Sequence, residues 1–248
     1  MEPLIIQKDN LSDAWCEVLK HFCEHPGNDI SPLVLSLSGF EETSTVREII
    51  EGDLRKSKLA SINTVAETIF PQSLYMMCGF DRMRLYDQYM KNYPRYRKID
   101  AGNNRGTYFQ RLIAFEASGQ AINQLEIVIS SIQNTKVKRR SKLQASVFDP
   151  SKDHTTGMFQ KFPCLQHVTF YKSENGGLVL NSFYAMQYFY RRAYGNWLGL
   201  INLGHFIAKE SGLELERMNC FVGVEHLDEV TKKAAGELLN KINGTSPL

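Results

Sequence analysis

Cys164 stands directly after Pro163 and opens the alternating run "CLQHVTFYKSENGGLVLNSFY", which turns at Asn175-Gly176-Gly177 and comes back. Two readings compete for such a thiol. Most unpaired cysteines fill apolar cores. A thiol that does chemistry acts as its thiolate, and near neutral pH that requires a positive neighbour. Positive charge is bunched in "KVKRRSK" at 136–142, in "RYRK" at 95–98 and in the pair Arg191-Arg192. Clusters of this kind can also bind a small anion, because a phosphate dianion is best met by several donors, preferably planar guanidinium groups.

The other cysteines, Cys16, Cys23, Cys78 and Cys220, are scattered, and none of the five has CxxC or other metal-ligand spacing. This usage reads as a reduced, cytoplasmic protein. The opening "MEPLIIQKDN" is too short and polar for a signal peptide, and no apolar run approaches the ~20 residues of a membrane span. With 29 basic and 27 acidic residues, composition demands neither a nucleic-acid nor a membrane partner. No linker-like or low-complexity stretch divides the 248 residues, so a single domain over 1–248 is expected.

Helices and strands interleave along the chain. Trp15, Val18, Leu19 and Phe22 share one helical face, after Asn10 or Ser12 as a cap. A strand is expected over 32–38 and helices over 43–56, 62–70, 81–93 and 121–134; 143–148 reads as extended and 164–186 as a long hairpin. The segment 195–212 is apolar on most faces and predicts a helix buried in the centre. A strand over 215–227 and an amphipathic helix from Asp228 follow. The class is α+β, a large twisted mixed sheet with packed helices and a central buried helix.

In order, the chain carries "RGTYFQRLIAF", a helix, a basic cluster, "ASVFDP", the Pro-Cys hairpin, an arginine, a buried helix with Gly and Asn, and a strand ending in "GVEHLD". This order, from about Gly106 to Asp228, resembles the thymidylate synthase family, which includes the deoxycytidylate hydroxymethylases. The resemblance implies a thymidylate synthase-like homodimer that adds a one-carbon unit from 5,10-methylenetetrahydrofolate to C5 of a pyrimidine nucleoside monophosphate, by default dUMP.

Residue by residue, the resemblance makes Cys164 the nucleophile that attacks C6, Tyr108 the active-site tyrosine and Glu67 in "AETIF" the proton-managing acid/base. The arginine that touches both thiol and phosphate is Arg192 if "WLGL" sets the register, or Arg191 if Asn202 does. Arg139 and Arg140, with Lys142 as the alternative, match the phosphate-binding pair lent by the partner subunit. Asn202 matches the base-reading residue and suits uracil, whereas a strict count puts Leu203 there. His226 matches the sugar-hydroxyl histidine. Departures accompany these matches: Leu165 replaces the histidine after the cysteine, Asp228 replaces a tyrosine, and the folate-facing acid falls on Gly195 or Tyr194. The terminal "NGTSPL" shows no folate-closing tail. Hydroxymethylation of dUMP, dCMP or CMP, a nucleotide binder without turnover, and a nucleic-acid module using the aromatics of "FYAMQYFYRRAY" are the alternative readings.

Overall fold

The computed structural model describes residues 2–99, 101–117, 119–134, 139–158 and 162–244. Part of the basic cluster, Lys136 to Lys138, and the terminal Thr245 to Leu248 lie outside them. The chain begins with a strand that the sequence pattern does not announce, β1 (Leu4–Asn10). Asn10 ends it and caps α1 (Leu11–Glu24), accepting from the Asp13 amide at 3.1 Å. Trp15, Val18, Leu19 and Phe22 are buried along α1, as their spacing predicts.

There follow β2 (Asp29–Ile30), β3 (Leu33–Glu41), α2 (Ser44–Lys56), α3 (Ile62–Ala66), α4 (Gln72–Met77), α5 (Arg82–Ile99) and α6 (Tyr108–Ile113). A small hairpin, β4 (Phe115–Ala117) and β5 (Gln120–Ile122), leads into α7 (Gln124–Gln133). The remainder is β6 (Gln144–Ser146), α8 (Pro150–Asp153), β7 (Leu165–Lys172), β8 (Leu178–Tyr188), α9 (Tyr194–Glu210), β9 (Leu215–His226) and α10 (Lys232–Asn243).

The main sheet has the order β1-β3-β9-β8-β7-β6, with β2 beside β9. The β1–β3 and β8–β9 pairs are parallel, while β3–β9, β7–β8 and β6–β7 are antiparallel, so the sheet is mixed. One face is apolar: Leu33, Leu35, Leu37, Met218, Cys220, Val222, Leu180 and Val168 are all buried. On the other face a polar row crosses four strands, where Asn181 donates to Thr169, Asn219 to Asn181 and Ser36 to Asn219. Phe183 and Phe221 stack on that second face at 5.5 Å and stay partly exposed.

The central helix is present as α9, with Trp197, Leu200, Ile201, Leu203, Phe206 and Ile207 all buried. Each such side chain contributes about 1.5–3 kcal/mol through removal from water. It begins out of a π-helical turn, Phe189–Ala193, rather than from a cap. Helix α3 packs against its first two turns at Gly195 and Gly199. A Cβ on Gly195 would lie 2.5 Å from the Val65 Cβ, and one on Gly199 2.7 Å from the Ala66 carbonyl oxygen.

Other boundaries differ from expectation for local reasons. The helix expected over 62–70 stops at Ala66 and turns into Pro71. The one expected over 81–93 continues to Ile99 through Pro94. Asn123 accepts from the Glu126 amide and delays α7, so residues 121 and 122 are strand. Thr231 likewise caps α10 and leaves Asp228 outside it.

Candidate functional site

Cys164 lies at the start of β7, after a cis Phe162–Pro163 bond, and its carbonyl accepts from the Ala185 amide of β8 at 3.3 Å. Tyr108 comes to it from α6. Thr107 caps that helix by accepting from the Gln110 amide at 3.3 Å. Gly106, with φ +119°, makes the preceding turn, where a Cβ would fall 2.9 Å from the Arg111 Nε. The Tyr108 ring stacks on Phe162 at 5.4 Å, and its phenol lies close enough to the Cys164 thiol to pull the thiol pKa down.

Arg111, three residues on, fixes this arrangement from below. It reaches Asp153 through two hydrogen bonds, 2.8 and 3.2 Å, and donates to the carbonyls of Val147 and Arg105. Its guanidinium also lies over the Phe162 ring at 5.4 Å. The pair is buried, and it joins the Tyr108 helix to the segment between β6 and β7. Neither Arg111 nor Asp153 stands out in the sequence, because an isolated Arg and Asp 42 residues apart carry no periodic signal.

The π-helical turn before α9 brings in Arg191 and Arg192. Tyr190 anchors that turn: its amide donates to Asp228 at 3.0 Å and its hydroxyl to Asp53 at 2.6 Å. Arg191 is already engaged. Its Nε is 2.9 Å from Asp228 Oδ2, a charge contact not aligned as a hydrogen bond, and it donates to Glu229 at 3.0 Å. Its guanidinium covers the Tyr188 ring at 4.1 Å. Arg192 is exposed and meets no carboxylate at ion-pair distance among the described residues.

Burial raises the Cys164 thiol above its ordinary pKa, while Arg192, Tyr108 and Arg191, in that order, pull the other way. With no positive neighbour acting on them, burial pushes Cys16 and Cys220 up to about 12. The positive neighbours expected of a reactive thiol are therefore present, but apolar surroundings outweigh them, which leaves a neutral thiol at pH 7. Burial also raises the Tyr108 phenol, with Cys164 adding to the rise.

At the end of β9, His226 Nδ1 meets Asp29 at 2.6 Å, and its ring faces Tyr188 edge-on. Asp228, two residues on, is raised by burial against the pull of Arg191. Of the groups at this end of the sheet, Arg191 and Arg192 act on the Cys164 thiol, and Asp228 holds Arg191.

The remaining expected residues lie elsewhere or are differently engaged. Glu67 accepts from the Ser73 amide at 2.8 Å and lines a cavity of about 220 Å³ with Tyr89, Tyr96 and Thr107. It is not among the groups acting on the Cys164 thiol. Arg139, Arg140 and Lys142 are exposed; Arg140 lies over Tyr171 of β7 at 5.9 Å. Asn202 is half-buried on α9, and its neighbour Leu203 is fully buried. Tyr194 hydrogen-bonds Ser12 at 2.8 Å, so neither it nor Gly195 offers an acid to a cavity. Among the described residues, no group of three or more His, Cys, Asp or Glu is placed to hold a metal ion, and no helix is long and apolar enough to cross a membrane. Against known proteins, no family model matches this chain and no curated protein matches its sequence.

Proposed function

We propose that the protein is a transferase that substitutes C5 of a pyrimidine nucleoside monophosphate through a cysteine adduct at C6. The observation that carries this reading is the convergence of Cys164, Tyr108 and Arg192, an arginine with no ion pair among the described residues. In the proposed reaction the sulfur bonds to C6 and the C5–C6 π electrons move toward C5 and the C4 carbonyl. C5 then bonds to a one-carbon electrophile, loses its hydrogen as a proton, and the C6–S bond breaks. Arg192 stabilises the thiolate as it forms and, in the same reading, pairs with the substrate phosphate. Tyr108 orients the sulfur, and Arg191, held by Asp228 and Glu229, braces the turn. His226, polarised by Asp29, is suited to a sugar hydroxyl.

The stronger action of Arg192 on the thiol favours the register set by "WLGL". That register puts Leu203 at the base-reading position, but Leu203 is fully buried and has no polar atom to offer. Asn202 is the half-buried polar residue on the same turn of α9, and it keeps the base-reading role.

The donor implied by the resemblance, 5,10-methylenetetrahydrofolate, fits less well. The start of α9 that should present an acid to it is closed by α3 at Gly195, and Tyr194 is turned inward to Ser12. No step above is therefore assigned to folate-binding residues. A nucleotide binder without turnover draws its support from the same observation. The nucleic-acid reading is weakened, because Tyr184, Phe189, Tyr190 and Tyr194 of the aromatic segment are all buried and cannot stack on bases.

The partly exposed stack of Phe183 and Phe221 beside the polar row supports a homodimer through the second face of the sheet. Release of tritium from C5 of dUMP, dCMP, UMP or CMP, each with methylenetetrahydrofolate, tests the reaction. Stoichiometric nucleotide binding with no release from any of them would refute it in favour of the binder.

A further inference from the structure

The cavity of about 220 Å³ beside Glu67 is lined by none of the groups that act on Cys164. The turn after α3 supplies Glu67, Thr68 and Pro71, α5 supplies two tyrosines, and Thr107, the cap of α6, closes the far side. Tyr89 and Tyr96 lie two turns apart on α5, and their rings adjoin at 5.2 Å with a tilt of 52°. Burial and then the Glu67 charge raise the Tyr96 phenol above its ordinary pKa, so the ring is neutral and within electrostatic reach of that carboxylate.

The polar lining is rich in acceptors, and several of its donors are already used. Glu67 Oε1 accepts from the Ser73 amide at 2.8 Å, a bond that does not engage Oε2. The Thr68 hydroxyl gives its proton to the Val65 carbonyl at 2.7 Å and keeps lone pairs to offer. Asn103 donates from its amide nitrogen to the Tyr96 carbonyl at 3.0 Å, which does not engage Oδ1. Tyr89 and Thr107 hydrogen-bond each other at 2.7 Å. No Lys, Arg or His is among the described lining residues.

An anion would meet a carboxylate here and no cation. A compact organic cation suits every part: its charge pairs with Glu67, its remaining N–H groups meet the threonine and asparagine oxygens, and its apolar part lies against the tyrosine rings. The volume is below the roughly 300–1,000 Å³ of sites for drug-sized ligands, which limits the occupant to a small molecule. We propose that this cavity binds a small primary ammonium ligand, with Glu67 as its counter-ion and Tyr89 and Tyr96 as its walls.

Isothermal titration of the full chain with benzylammonium chloride, against benzyl alcohol as an uncharged match of similar shape, tests this. The wild type should bind the ammonium at least about tenfold more tightly than the alcohol, since only the ammonium forms a charge-assisted bond to Glu67. Glu67→Gln should remove most of that preference while keeping the fold, because the carboxamide oxygen can still accept from the Ser73 amide. Tyr96→Ala, at a half-buried position, should weaken ammonium binding by about threefold or more. No binding of the ammonium at millimolar concentration, equal affinity for the two probes, or a preference that survives in folded Glu67→Gln overturns the proposal. If Glu67→Gln does not fold, Tyr96→Ala decides: weakened ammonium binding supports the site and unchanged binding overturns it. No nucleotide is used, so the outcome is independent of the proposed reaction.

Discussion

Arg111 and Asp153 meet inside the protein through two hydrogen bonds, at 2.8 and 3.2 Å, and this contact ties the helix bearing Tyr108 to the chain leading into Cys164. Asp153 also accepts from the Asp149 amide at 2.7 Å, so the carboxylate serves both as counter-ion and as backbone partner.

Asp153→Ala leaves the buried guanidinium with only the more distant Asp149, 3.9 Å away, as counter-ion and with both Asp153 hydrogen bonds lost. A loss of about 3–5 kcal/mol is expected for breaking one side of a buried pair. Urea unfolding measures it. A loss under about 1 kcal/mol would show that Asp149 replaces Asp153.

Arg191 and Arg192 should separate in their effects. Arg192→Ala removes the strongest positive influence on Cys164, so the thiol pKa rises further. Alkylation near pH 7.5 then slows, by about tenfold if the titration midpoint moves up by one pH unit. Arg191→Ala should slow alkylation less and cost stability instead, by about 1–3 kcal/mol after allowance for the partial exposure of Arg191. Asp228 gives that cost a pH signature. Its folded pKa is raised by burial and would rise further without Arg191, so its contribution is complete below the unfolded value and is lost as pH rises through the folded one. Thermal melts of Arg191→Ala should therefore show a larger deficit at pH 8 than near pH 4. Equal deficits would mean that Asp228 is not the group responsible.

Much of the fold was legible because it is written in periodicity. The face of α1, the hairpin of β7 and β8 and the largely apolar α9 all follow from the pattern of apolar residues. The candidate site was legible where residues lie close to a strong local signal, as Cys164 does after Pro163 or Arg191 and Arg192 do before α9. What was missed depends on contacts between distant segments. Arg111 with Asp153 shows nothing until the fold brings the two together. Nor could charge alone reveal that Glu67 turns to the Ser73 amide, or that burial outweighs the arginines at Cys164.

Gly195→Asp tests the donor side. If the start of α9 could hold the acid that the resemblance calls for, the change would be tolerated. The structure instead places Val65 and the Ile62 carbonyl within 2.8 Å of the new Cβ, and the latter is backbone that cannot swing aside. Destabilisation of about 1–3 kcal/mol or more is expected from such overpacking, together with the cost of a buried carboxylate. A thermal melt unchanged from wild type would reopen this end of the helix to a ligand.

Phe183→Asp should disrupt the proposed dimer and leave the fold intact, because the ring lies on the partly exposed face of the sheet. Light scattering at micromolar concentration should show the dimer's mass in the wild type and half of it in the variant. A wild type that is already monomeric would remove this face as an interface, and with it any arginine lent across it.

Base choice turns on Asn202. A carboxamide can rotate to offer a donor to a carbonyl and an acceptor to an N–H, as uracil requires, whereas a carboxylate only accepts, which suits the amino group of cytosine. Asn202 shares a helix face with Gly195 and Gly199, the face that α3 covers, but lies one turn further along and is half-exposed. It is therefore placed to meet a ligand beyond the edge of α3. Asn202→Asp should move the ratio of uracil to cytosine nucleotide binding toward cytosine by a factor equivalent to about 1–3 kcal/mol, the scale of a buried polar mismatch. Isothermal titration with dUMP and dCMP reads that ratio directly. If both affinities fall together, or the melting temperature drops while the ratio holds, Asn202 packs within α9 and the base is read elsewhere.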